Sequence, residues 1–192
     1  MATQMKPSLR SYVFLLVPVS IGIMLPSIFI SWIAVNFLGF HQFSPIEIIS
    51  ELYGQKEPQS GFDIRNLLLS YNDTFTYAVA SLSLYFASLV GMIISAGWGK
   101  HRSRIALAAG ILAITAATLW IYSVESLKEN FARQAGITGG IIGEEFKGHE
   151  STLADILIRL GIGQYFVAAG GIVAIFNYFL EKKLVQSRVP AV

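Results

Sequence analysis

The chain has 192 residues, 54% of them hydrophobic and only 14% charged, against about 25% charged in a soluble domain. Its few charges cluster between four long apolar stretches, which excludes an ordinary soluble domain or a nucleic-acid-binding surface and leaves the lipid bilayer as solvent. The absence of cysteine excludes disulfides, thiolate metal sites and thiol nucleophiles.

The first apolar stretch, 12–40, follows Lys6 and Arg10. It exceeds the usual 7–15-residue apolar region of a signal peptide and no small-residue cleavage pattern follows it, so it reads as a retained first span. A bilayer core of about 30 Å needs about 20 helical residues, and the backbone must bond internally in lipid, so the stretch predicts a helix. Pro18 and Pro26 lie eight apart on roughly one face and each removes an internal hydrogen bond. Two readings stay open for them, a hinge and a fixed bend resatisfied by neighbours.

An outer loop over 41–73 follows. Ser44-Pro45-Ile46-Glu47 has the form of a capping box with proline at the first helical position, predicting a short amphipathic helix to about Tyr53, closed by Gly54. Residues 62–70 predict a second such helix. Asn72-Asp73-Thr74 caps the next span; it also matches a glycosylation pattern, but abuts the membrane.

The second span, 74–98, carries Ser83, Ala87, Gly91 and Ser95 every fourth residue along one face. After a short basic turn, 99–104, the third span, 105–124, carries Ala109, Ala113 and Ala117 at the same spacing. Small residues let helix backbones approach closely in lipid, and so short a turn makes the two spans antiparallel neighbours. The spacing predicts that their small faces meet; the alternative is that one face binds another subunit.

The second outer loop, 125–155, begins as a helical extension to about Ala135 and then breaks at repeated glycines. Thr152 and Asp155 predict a capping box opening the fourth span, 156–180, which carries Gly161, Gly163 and Ala168-Ala169-Gly170-Gly171. Arg159 is the one charge expected inside a span, four residues after Asp155 and placed to pair with it; Gln164 is a further intramembrane polar group. An inner tail, 181–192, completes a single membrane domain.

Orientation follows from lysine and arginine. Lys6, Arg10, Lys100, Arg102, Arg104, Lys182, Lys183 and Arg188 fall on one side with a single acid, Glu181, whereas eleven acids and five basic residues fall on the other. The basic side faces the cytoplasm by the positive-inside rule, which predicts a multi-pass protein of the cell membrane with both termini cytoplasmic.

The expected fold is all-α, a four-transmembrane-helix bundle with short amphipathic helices in two extracellular loops. His41, Glu145 and His149 share the outer side as a candidate metal set, weighed against solvated loop residues. The sequence shows no P-loop, no H-E-x-x-H and no G-x-S-x-G, names no cofactor, and offers no catalytic residues.

In layout, the chain resembles tetraspan proteins of the claudin and peripheral-myelin-protein type, with inner termini, two outer loops, a short basic inner turn and a small-residue bundle. Asn36-Phe37-Leu38-Gly39-Phe40 stands where those families carry a Gly-Leu-Trp segment, while their paired cysteines are absent, so neither adhesion nor a paracellular pore carries over. The leading expectation is a non-catalytic accessory subunit or tetraspan scaffold that assembles with other membrane subunits or with itself. The alternatives are a homo-oligomeric channel or small-molecule conduit, and a membrane enzyme or outer-face metal-binding protein.

Overall fold

The computed structural model describes residues 9–36, 40–54, 64–97, 102–137 and 150–186. Helix α1 (Leu9–Met24) continues into a 3-10 turn (Leu25–Ile28) and gives way to strands β1 (Ile33–Asn36) and β2 (Phe40–Phe43). Short helices α2 (Pro45–Tyr53) and α3 (Ile64–Leu69) lead to α4 (Asn72–Gly97) and α5 (Arg102–Ile137). The chain then passes through α6 (Glu150–Leu157) and β3 (Ile158–Leu160) into α7 (Gly163–Gln186). Helices α4, α5 and α7 are long and apolar enough to cross a membrane; α1 is apolar but shorter.

Two expected spans are corrected. The stretch 12–40 is not one helix: its helical part ends at Ile28, where Pro26 has already tightened the chain. The segment after Trp32, with β-branched Ile33 and Val35, forms β1 instead. The stretch 156–180 is also interrupted, because Ile158–Leu160 pair with β1 as β3. Thr152 and Asp155 therefore lie within α6 rather than at the start of the last long helix.

The sheet is antiparallel, with strand order β2-β1-β3. Ile33 pairs with Phe43 on one side and Leu160 on the other, and Val35 with His41 and Ile158. Gly161 makes this junction possible. A Cβ there would collide with the Ser31 carbonyl, and the bare backbone lets Gly161 N–H donate to Trp32 O at 2.9 Å while Gly163 N–H donates to Ser31 O at 2.9 Å. Ser44 and Glu47 cap α2 as expected, the Glu47 carboxylate accepting from Ser44 N–H and Oγ at 2.7 Å each. Helices α2 and α3 bury Ile48, Ile64 and Leu68 with Trp32, Ile33, Val35 and Phe43, forming a cap whose core runs without a break into the bundle.

The bundle is a closed ring. Helix α4 packs on α5, α5 on α7, α7 on α1 and, over a smaller area, α1 on α4. Ser20, Ser81, Ser88, Ser95 and Ser123 are buried, while Leu15, Val90, Ile93, Ile111, Ile172, Phe176 and Phe179 point outward. A surface of that kind is at home against acyl chains.

One ladder fixes α4 against α5. Ser81, Ser88 and Ser95 donate to the backbone carbonyls of Ala116, Ala109 and Arg102 at 2.7, 2.8 and 2.9 Å. Ser123 Oγ continues it in the reverse direction, donating to Thr74 O at 2.9 Å. Rungs recur every seven residues on both helices, the period at which two helices winding around each other keep one seam in contact. Helix α7 uses Gly170 and Gly171 on two sides. A Cβ on Gly171 would meet Gly110 O at 2.8 Å, and one on Gly110 would meet Gly171 O at 2.7 Å. Gly170 faces α1, where Ser20 Oγ donates to its carbonyl at 2.6 Å.

Candidate functional site

Two places concentrate polar chemistry, both at the cap end. The first is the joint between sheet and bundle, centred on Trp32, which is fully buried. Its indole meets Tyr85 of α4 edge-on at 5.0 Å and Trp120 of α5 at 5.2 Å, geometry that aromatic quadrupoles favour. Trp32 Nε1–H donates to Ser27 O at 3.0 Å, and Trp32 O accepts from Trp120 Nε1–H at 3.0 Å as well as from Gly161 N–H. Ser27 Oγ donates to Met24 O at 2.6 Å. The single Tyr85 hydroxyl proton is then shared between Ser27 Oγ at 2.8 Å and Met24 O at 3.1 Å.

These bonds bear on Pro26. Carbonyls released where α1 tightens into its 3-10 turn are occupied by the turn's own Ser27 and by buried side chains from two other segments, Tyr85 of α4 and Trp32 ahead of β1. That is the arrangement of a fixed bend, because opening it would strand several buried polar groups at about 1–3 kcal/mol each. Pro18 lies within α1, which runs through it to Met24.

The second place is an open cavity of about 350 Å³ between α5 and α6, lined by Glu125, Lys128, Glu129, Arg133 and Asp155. Lys128 Nζ bridges Glu125 and Asp155 at 3.0 Å each. The link ties α6, and through it β3, to α5. With both carboxylates about half exposed or more, each bridge contributes about 0–1 kcal/mol. The cap is also tied to the end of α5 by Tyr71, whose hydroxyl donates to Gln134 Oε1 at 2.6 Å. Burial pushes the Tyr71 phenol above its ordinary 10.0.

The expected site residues are distributed as follows. Ala109, Ala113 and Ala117 are buried on α5, and Ser95 is buried against its first turn. Gly91 lies against Ala109, where an added Cβ would come within 3.0 Å of the Ala109 Cβ. Ser83 and Ala87 instead face outward, and Ser83 Oγ donates back to Val79 O of its own helix at 2.8 Å. The inward face has a seven-residue period, so a four-residue count drifts around the helix and joins residues from two faces.

Arg159 is corrected as well. It is exposed on β3, opposite Ala34, and not within a membrane-spanning helix. Its expected partner Asp155 bridges to Lys128, because the turn from α6 into β3 breaks the helical spacing that would have aligned the two. Gln164 is 1% exposed at the start of α7; among the described residues, neither it nor Asn177 has a hydrogen-bond partner for its side-chain amide. His41 lies on β2 with its ring over Phe43, centroids 6.4 Å apart. Glu145 and His149 lie outside the described residues, and among the described residues no three metal-ligating side chains come together.

Trp32 is the residue that sequence reading missed. A lone tryptophan inside a long apolar run carries no periodic signal, although the β-branched Ile33 and Val35 behind it favour a strand.

Compared with protein families and with curated proteins, the chain matches no family model and no curated sequence.

Proposed function

We propose that the protein is a four-span membrane protein of non-catalytic, assembling type, an accessory subunit or tetraspan scaffold, with the basic end of its bundle in the cytoplasm and the cap outside the cell membrane. The carrying observation is the bundle interior. Ser81, Ser88 and Ser95 spend their hydroxyls on neighbouring backbones, and Gly110 and Gly171 bring α5 and α7 to backbone contact. Such an interior uses these groups to hold helix against helix, which favours a structural role.

The fourth crossing in this reading is α1 with its 3-10 extension. Sixteen α-helical and four 3-10 residues give roughly 32 Å at about 1.5 and 2.0 Å per residue, enough for a core of about 30 Å. Partner contact falls to two surfaces: the outward Ser83–Ala87 face of α4, where small side chains allow a close helix neighbour, and the charged cap with its cavity between α5 and α6.

The test is purification in a gentle detergent from native membrane, followed by mass spectrometry of everything that travels with the chain. Stoichiometric membrane partners, or a defined homo-oligomer disrupted by Ser83→Phe and Ala87→Phe, are expected. A strictly monomeric particle that never carries a partner would refute the assembly role.

A further inference from the structure

The cap end of the bundle mixes acids and bases, whereas the other end is almost purely cationic. Helix α5 begins there with Arg102 and Arg104, and α7 ends there with Lys182 and Lys183. The two helices run antiparallel and cross at Gly110 and Gly171. At about 1.5 Å per residue, Arg104 lies about 9 Å and Lys182 about 17 Å beyond that crossing along the bundle. The three cations therefore emerge within about 9 Å of one another along the bundle, a gap that long, flexible arginine and lysine side chains span by snorkelling.

The charges at this end divide unequally. Arg102 is buried, and the only acid of this end, Glu181, lies close enough to support its charge. Arg104, Lys182 and Lys183 are exposed, and none of the three forms an ion pair among the described residues. Each stands at the foot of an exposed apolar face. Phe176 and Phe179 are 56% and 58% exposed and lie one or two helical turns above the lysines, while Ile111, 51% exposed, is two turns above Arg104. An apolar stripe ending in unpaired cations matches an amphiphile with acyl chains and an anionic head.

We propose that this end of the bundle binds anionic phospholipid, its phosphate held among Arg104, Lys182 and Lys183 and its acyl chains along Phe176 and Phe179. Each basic residue near an anionic headgroup adds its own attraction, so three around one phosphate favour an anionic head over a zwitterionic one. The site requires only that α5 and α7 cross the bilayer, so it stands whether or not the chain recruits protein partners.

The test is native mass spectrometry of the full chain in detergent with equal phosphatidylserine and phosphatidylcholine. At least about tenfold preferential retention of phosphatidylserine is expected. Arg104→Gln with Lys182→Gln and Lys183→Gln should bring retention to parity, while Arg65→Gln with Arg159→Gln, exposed at the cap end, should leave it unchanged. Because the three residues are exposed, the triple variant should keep the wild-type unfolding midpoint, which is measured alongside. Parity in the wild type, or a preference that survives the triple variant, would overturn the proposal. Complete displacement by millimolar inorganic phosphate would mark a free-anion site and overturn it too.

Discussion

Adding one methyl group at Gly110 and at Gly22 should move stability in opposite directions. Both are helix glycines, and replacing either by alanine removes backbone freedom from the unfolded chain, stabilising by about 0.5–1 kcal/mol. At Gly22 an added Cβ meets nothing within 4 Å, so that gain stands alone. At Gly110 the same atom arrives 2.7 Å from Gly171 O, 2.9 Å from Ile175 Cγ1 and 3.2 Å from Ala174 Cβ. The first of these is backbone and cannot rotate away, so α5 and α7 must separate by roughly half an ångström, against an overpacking cost of about 1–3 kcal/mol. Gly22→Ala should therefore be more stable than wild type, Gly110→Ala less stable by up to about 2 kcal/mol, and Gly110→Leu severely impaired. Reversible unfolding in mixed micelles, followed by helical circular dichroism as denaturing detergent is titrated in, reads the order directly. A Gly110→Ala protein stabilised as much as Gly22→Ala would show that α5 and α7 do not meet at backbone contact.

The serine ladder makes a similar contrast. Removing Ser81, Ser88 and Ser95 together should cost about 2 kcal/mol at about 0.6 kcal/mol per interhelical bond in a membrane, whereas Ser83→Ala, which loses only a bond within its own helix, should sit near zero; equal effects would reject the seven-residue register. Trp32→Phe keeps a ring between Tyr85 and Trp120 but leaves Ser27 O without its indole donor, a loss of about 1–3 kcal/mol. The near-ultraviolet dichroism of the joint should weaken with it, and an unchanged unfolding midpoint would count against the hub. The Tyr71 phenol has its pKa raised in the folded chain, so its contribution is full below its ordinary 10.0 and is lost as pH climbs through the raised value. Unfolding measured from pH 8 to 12 should show a larger loss in the wild type than in Tyr71→Phe, the difference opening above pH 10; parallel curves would refute it.

The long helices were legible because hydropathy and length alone fix them. The expected 74–98 coincides with α4 up to its end at Gly97, 105–124 lies within α5, and the expected extension past Glu125 is the far end of α5. The sheet was hidden by the same property. Ile33, Ala34 and Val35 are all buried, and a strand buried on both faces reads as a continuous apolar run that periodicity cannot separate from a helix. Ile158-Arg159-Leu160 did carry a strand signal: its charge points outward between two inward residues, a period of two that a helical frame turned into an intramembrane arginine. The ladder was visible too, since Ser81, Ser88 and Ser95 stand seven apart. A search for small residues four apart joined the outward Ser83 and Ala87 to the inward Gly91 and Ser95, and so mixed two faces. The Lys128 bridge to Asp155 could not be read, because it joins elements separated by the second loop.

The most direct test is sidedness, which the absence of native cysteine makes simple. Single cysteines replace Arg10, Gln42, Glu129 and Lys183, and a membrane-impermeant maleimide is applied to intact and to permeabilised cells. Four crossings with the cap outside require Gln42→Cys and Glu129→Cys to label on intact cells, and Arg10→Cys and Lys183→Cys only after permeabilisation. Labelling of Arg10→Cys and Gln42→Cys from the same side would show that α1 does not cross and would contradict the four-span bundle.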